Sequence, residues 1–244
     1  MGALLAVIRL LIFTLIALMA TVLLFLGGLL RLPKSYSFGV FDGSVRLIRF
    51  FLSIRVKYHG TVPTSQGIIM CNHRSYIDVV LIPSRVPYVV VAKKQVRSWP
   101  VIGWVAVALK VIFVDRDSVQ SRRATRASIR ERLQEGLSVL IFPEGTTHIG
   151  PDVLPFKPGM FNTCSESGFP ITPVALEYAE QNMAWIGTDT FLPHFMRTFR
   201  HRAVRVAVSF GEPISGSDAT ELREATESWV AGEVLRLRNV WDLG

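Results

Sequence analysis

The chain has 244 residues, half of them hydrophobic, with a mean hydropathy of +0.36 and a net charge of +8 at pH 7. That length suits one domain, or one domain with an anchor; the apolar fraction excludes a disordered chain, and two cysteines exclude a disulfide scaffold. Cys71 and Cys164 lack CxxC spacing, so a reduced, cytoplasm-facing compartment is the expectation.

The excess hydropathy sits at the start. Leu10 to Leu30 reads LLIFTLIALMATVLLFLGGLL, 21 residues without a charge. As a helix it extends roughly 31 Å, about the thickness of a bilayer hydrocarbon core. A signal peptide is the rival reading, but its apolar region usually runs to only about 7–15 residues. A retained membrane helix is expected. Residues 1–60 carry Arg9, Arg31, Lys34, Arg46, Arg49, Arg55 and Lys57 against Asp42 alone, a net +6 of the total +8. The remainder is close to neutral, so the charge reads as a juxtamembrane cluster facing anionic lipid and not as a nucleic-acid surface. Most of these cations follow the apolar run, which puts the rest of the chain on the cytoplasmic side of the membrane.

Gly39 to Ile54 is too short and too charged to span. On a helix, Asp42, Arg46, Arg49 and Ser53 make one polar stripe and apolar residues fill the other faces. Two readings stand: a helix lying in the membrane interface, or one packed on the domain core. Beyond it, β-rich runs alternate with helical stretches. Strands are predicted at Arg55–Tyr58, Gly67–Cys71, Tyr88–Ala92, Val111–Val114, Ser138–Phe142, Ile171–Leu176 and Val204–Phe210. A helix that Ser118 caps and Gly136 ends lies between two of them. A last helix starts at Asp218 and is expected to turn Leu222, Ala225, Trp229 and Leu235 inward. The pattern predicts an α/β domain, a mixed and mostly covered sheet flanked by helices, over residues 59–244 behind an anchor at 1–58.

Three strand ends carry chemistry. Asn72-His73-Arg74-Ser75-Tyr76-Ile77-Asp78 follows an apolar strand, so His73 falls at a carboxyl end, where α/β sheets place ligands. A helix starting near Arg74 lets the Asp78 carboxylate reach one ring nitrogen of His73 and leaves the other free as a base. Taken alone, the pair reads equally as a helix-turn carboxylate beside a capping histidine. Phe142-Pro143-Glu144-Gly145-Thr146 ends a second strand; its glycine permits close backbone approach and Thr146 supplies donors. Val111 to Arg116 delivers a guanidinium suited to phosphate, with a surface salt bridge to Asp115 or Asp117 as the competing reading. His59, His148, His194 and His201 lack ligand spacing, so neither metal nor cofactor is expected.

Together these blocks, with Ile171-Thr172-Pro173-Val174-Ala175-Leu176 and with Lys93 ahead of the arginine strand, resemble the glycerolipid acyltransferase family, in its order and spacing. Its best-known members are the 1-acylglycerol-3-phosphate acyltransferases. The resemblance implies that His73 takes the proton of a lysophospholipid hydroxyl, oriented by Asp78, while that oxygen attacks an acyl thioester of coenzyme A or of acyl carrier protein. It implies acceptor binding by Arg116, Glu144, Gly145 and Thr146, with Lys93, Asn72 and Ser75 in the same site. Phosphatidic acid synthesis at the cytoplasmic membrane is the leading expectation.

One departure bears on the acceptor. Family members acting on lysophosphatidic acid usually continue Glu-Gly-Thr with arginine, and Thr147 stands there. Losing that guanidinium costs about 1.5–3 kcal/mol if a phosphate binds at that place. Arg116, Lys93 or Lys157 are the candidates to compensate; otherwise the acceptor is another lysolipid, of phosphatidylcholine or ornithine type. A thioesterase using the same pair, and a non-catalytic lipid-binding protein, complete the alternatives.

Overall fold

Each predicted β-rich run forms a strand. In the computed structural model, which describes residues 1–83, 85–115 and 118–240, the helices and strands run in chain order. They are α1 (Gly2–Leu29), α2 (Lys34–Phe51), β1 (Ile54–His59), β2 (Ile68–Cys71), β3 (Tyr88–Lys93), α3 (Ile102–Ala108), β4 (Ile112–Val114), α4 (Val119–Gln134), β5 (Ser138–Ile141), α5 (Gly159–Ser167), β6 (Ile171–Tyr178), α6 (Phe191–Phe199), β7 (Val204–Phe210) and α7 (Ala219–Arg238). The strands make a mixed seven-stranded sheet in the order β1-β7-β6-β2-β5-β3-β4 among the described residues. Parallel pairing joins β2 to β5 and β6, and β3 to β4 and β5; β7 runs antiparallel to β6. This is the expected α/β fold.

The chain divides into two compact units. One comprises Val56–Val90, Arg126–Asp189 and Arg205–Gly244. Its centre is β6-β2-β5, in register at Ile68 with Ile171 and Val139 and at Met70 with Pro173 and Ile141. Every residue of these strands is buried, so they show no alternation of burial, and β2 reads as a continuous apolar run. Behind them α7 begins at Asp218, whose carboxylate accepts from the Thr220 and Glu221 amides at 2.7 and 3.0 Å. Its inward face is the expected one only in part: Leu222 is buried as predicted and Trp229 is half-buried, its ring close to Gly211, but Ala225 and Leu235 are not inward. Leu222, Thr226, Val230, Val234 and Leu237 are buried, while Leu235 is 55% exposed and Ala225 faces outward.

The other unit comprises Met1–Arg55, Val91–Thr125 and Thr190–Val204. The segment expected as a separate anchor therefore shares a unit with β4, α3 and α6. Helix α1 starts eight residues before the predicted span and buries one stripe, Ala6, Arg9, Ile16, Ala17, Ala20, Leu24 and Gly27. Its other faces hold Leu4, Leu11, Leu15, Phe25 and Leu29, each at least 65% exposed. After Pro33 the chain turns back as α2, and Gly27 permits the turn: a Cβ there would lie 2.4 Å from the Tyr36 ring. Phe13 packs on Phe191 and Phe195 of α6, ring centroids 6.1 and 5.6 Å apart.

Arg9 corrects an expectation. Counted from the sequence among the lipid-facing cations, it is 4% exposed and donates to the carbonyls of Phe199, His201 and Arg202 at 3.0, 2.6 and 3.0 Å. Phe199 ends α6, where carbonyls lack intrahelical partners and carry partial negative charge, and His201 and Arg202 follow it, so this helix end and the turn after it present a ready site for a buried guanidinium.

Candidate active site

Three adjacent parallel strands deliver the site. β6, β2 and β5 end at one sheet edge, and the residues following β2 and β5 meet there with the last residue of β6. Asn72 anchors the first: its side-chain amide bonds both the carbonyl and the N–H of Leu176, at 2.9 and 2.8 Å. The chain then turns into a 3-10 helix, Tyr76–Val80, two residues later than the helix start expected near Arg74.

Asp78, third in that turn and fully buried, reaches back as predicted. Its Oδ2 accepts from the amides of Arg74 and Ser75 at 2.7 and 2.8 Å and lies 2.8 Å from His73 Nδ1. Oδ2 already accepts two amides, so at the third contact it accepts again and Nδ1 donates to it. That tautomer leaves Nε2 as an acceptor, on a side chain still 18% exposed. One face of the imidazole stacks on the Phe142 ring, centroids 4.0 Å apart, which fixes the ring plane.

Glu144, after β5, is 2% exposed. One carboxylate oxygen accepts from the His73 amide at 3.1 Å and the other from the Leu154 amide at 3.3 Å. The sequence reading set Glu144 against the acceptor; in the structure its oxygens hold the His73 backbone. Burial pushes its carboxyl up to about 7, against the favourable pull of Arg74 and the two amides. Gly145 has φ +75°, and a Cβ there would lie 2.8 Å from Lys157 Nζ, so the lysine side chain runs over this turn. Thr146 is exposed and Thr147 half-buried beside it.

Arg74, 1% exposed, ties these pieces together. It donates to the carbonyls of His148 and Asp152, both at 3.1 Å, and to Glu177 of β6 at 2.9 Å. The His148 amide in turn donates to the His73 carbonyl at 2.9 Å. The Cys71 thiol is fully buried, and burial raises it well above the ordinary thiol range, so it is no nucleophile. Of the remaining predicted residues, Ser75 is buried in the Asp78 loop, while Lys93 ends β3 opposite Val114 in the other unit. Arg116 lies outside the described residues. The sequence reading missed Tyr178, the last residue of β6, whose hydroxyl donates to Asp78 Oδ1 at 2.7 Å.

Comparison with known proteins supplies the chemistry's class. The family described as Acyltransferase matches residues 53–177, a span that contains Asn72 to Asp78 and Phe142 to Thr146. A lyso-ornithine lipid O-acyltransferase of Pseudomonas aeruginosa is 32% identical over 72% of this chain and 71% of its own length. A 1-acyl-sn-glycerol-3-phosphate acyltransferase of Neisseria gonorrhoeae is 31% identical over 47% of this chain and 45% of its own length. The crystal structure of the 1-acyl-sn-glycerophosphate acyltransferase of Thermotoga maritima shares the architecture, with a TM-score of 0.69 at 24% identity over 96% of this chain and 98% of that one. With the family match running through both strand-end motifs, the chain belongs to the acyltransferase family.

Proposed function

We propose that this acyltransferase moves a fatty acyl group from a thioester, of coenzyme A or of acyl carrier protein, to the free hydroxyl of a lysolipid at the cytoplasmic membrane. The observation that carries the reading is the imidazole of His73, held at Nδ1 by Asp78 and open at Nε2. Nε2 takes the hydroxyl proton as the acceptor oxygen attacks the thioester carbonyl. When the tetrahedral intermediate collapses, the carbon–sulfur bond breaks and the imidazolium returns its proton to the leaving thiolate. No acyl-enzyme is needed, because the thioester arrives activated. The exposed apolar faces of α1 and α2, from Leu4 to Phe50, favour seating at a lipid surface.

For the acceptor, an ornithine-type lysolipid is favoured by the relatives of Pseudomonas, Rhizobium and Brucella, which carry that activity in their names, and by Thr147, at the place where the family resemblance leads one to expect arginine for a phosphomonoester acceptor. A lysophosphatidic acid acceptor is the second reading, favoured by the Neisseria relative and by Lys157, whose ammonium lies over the Gly145 turn. Purified enzyme given a labelled acyl thioester and a panel of lyso-ornithine lipid, lysophosphatidic acid and lysophosphatidylcholine decides between them. The reading expects labelled diacyl product, with the ornithine lipid preferred. Thiol release that no lysolipid accelerates would mean a thioesterase.

A further inference from the structure

Both oxygens of the Asp78 carboxylate are occupied. Oδ2 serves His73 and two amides, while Oδ1 accepts the hydroxyl of Tyr178, at the end of the neighbouring strand β6, at 2.7 Å. Asp78 is fully buried and Tyr178 is 4% exposed, so solvent does not compete for this bond. Tyr178, Asp78 and His73 thus form one chain of hydrogen bonds that ends at His73 Nδ1, across the ring from the reacting Nε2, with Asp78 and Tyr178 100 residues apart in sequence.

We propose that Tyr178 is a positioning residue for acyl transfer: its bond to Asp78 Oδ1 sets how strongly the carboxylate holds the His73 proton, and hence the pH at which His73 becomes available as a base. The inference rests on His73 acting as that base. A donor on Oδ1 draws negative charge away from Oδ2, which lowers the attraction between carboxylate and imidazolium. It also fixes the carboxylate plane, so that Oδ2 faces Nδ1. Without the hydroxyl, a buried oxygen loses its partner, Asp78 becomes more basic, the imidazolium is better stabilised, and His73 holds its proton to higher pH.

The surroundings leave few rivals for such a shift. Facing the pair are Cys71 at the end of β2, Arg74 and Tyr76 from the loop, Glu144 after β5, and Glu177 of β6 beside Arg238 of α7. Burial and the Asp78 charge hold the Tyr178 hydroxyl well above the ordinary phenol range, so it remains a donor throughout neutral pH. The Cys71 thiol is likewise kept protonated by burial. The His148 imidazole, paired with Asp152 at 3.1 Å, stands on the loop whose amide bonds the His73 carbonyl; Glu144, raised to about 7, changes charge in the same pH range. The influence of Glu144 is removed by repeating the comparison in a Glu144→Gln background.

The test is the pH profile of kcat/KM for the full chain in mixed lipid–detergent micelles. Parent and His73→Ala proteins come first. A parent without acyl transfer, or an acid limb that survives His73→Ala, removes the base reading itself and this inference with it. Given an acid limb that depends on His73, folded Tyr178→Phe should show it displaced upward by about 0.5–1 pH unit, with and without Glu144. An unmoved limb in folded Tyr178→Phe overturns the inference, whatever the change in Tm, because that pattern is what a purely structural tyrosine gives. A second variant keeps the question decidable if the phenylalanine protein does not fold. Fluorotyrosine incorporated at position 178 has a more acidic hydroxyl and is a stronger donor in nearly the same volume. It should move the limb downward, and an unmoved or raised limb overturns the inference.

Discussion

Asn72 and Leu176 exchange two hydrogen bonds, the side-chain amide standing in for a strand and continuing the β2–β6 pairing past Cys71 and Val174. Both residues are fully buried, so nothing replaces the amide once it is gone. Asn72→Ala leaves a buried N–H and a buried carbonyl at Leu176 unpaired, at a cost of about 2–4 kcal/mol. Thermal unfolding should show Tm lower by roughly 5–15 °C. A Tm equal to that of the parent would remove the clamp from the account of how His73 is placed.

Glu144 makes stability depend on pH. An ordinary glutamate titrates near 4.3, and this one is pushed up to about 7, so between those values the folded chain binds a proton that the unfolded chain has released. Its contribution to stability is fully present below about pH 4 and is lost as pH rises through 7, a swing of about 3–4 kcal/mol. Glu144→Gln removes the titration. Urea unfolding at pH 5.5 and pH 8 should therefore show the parent's stability relative to the variant greater at the lower pH. A difference that does not change with pH contradicts this.

Arg9 separates two roles that a sequence cannot tell apart. As a ligand of the carbonyls at and just after the end of α6 it supports the fold, whereas as a headgroup contact it would support binding to anionic vesicles. Arg9→Met strips three carbonyls of a buried donor. Tm should fall by several degrees, while affinity for phosphatidylglycerol vesicles stays within about twofold, the buried charge having had little part in it. Lost vesicle affinity at an unchanged Tm would restore the headgroup reading.

Thr147→Arg tests the acceptor. A guanidinium beside the Gly145 turn supplies a bidentate anion ligand, and a charge-assisted contact of this kind corresponds to roughly tenfold or more in kcat/KM. Activity on lysophosphatidic acid should rise by that factor relative to lyso-ornithine lipid. An unchanged ratio between the two acceptors would show that position 147 does not meet the headgroup.

Much of the fold was legible because its signals are local. Val204–Phe210 alternates and forms a strand with those bounds, Asp218 caps its helix, and the apolar runs of β2 and β5 mark buried parallel strands. What escaped depends on partners distant in sequence. The α7 face was misread in part because Thr226 belongs to the core: its hydroxyl is satisfied by Leu222 O at 2.6 Å, so a polar residue sits where an apolar one was sought. Arg9 reads as a flanking cation until the carbonyls of Phe199, His201 and Arg202 are known. At the site, the spacing of His73 and Asp78 announces their contact, but Tyr178 lies on a strand buried on both faces, where no periodicity points one side chain toward another. The inward turn of Glu144 was equally invisible, since its partners are backbone amides.

His73→Ala addresses the central claim most directly. Initial rates of acyl transfer from a labelled thioester to lyso-ornithine lipid and lysophosphatidic acid are compared with the parent, alongside Tm and vesicle binding. The account predicts that both transfers fall by about 10²–10⁴-fold, the usual contribution of a positioned base, with folding and vesicle binding kept. A folded His73→Ala protein that transfers acyl groups at the parent's rate contradicts it.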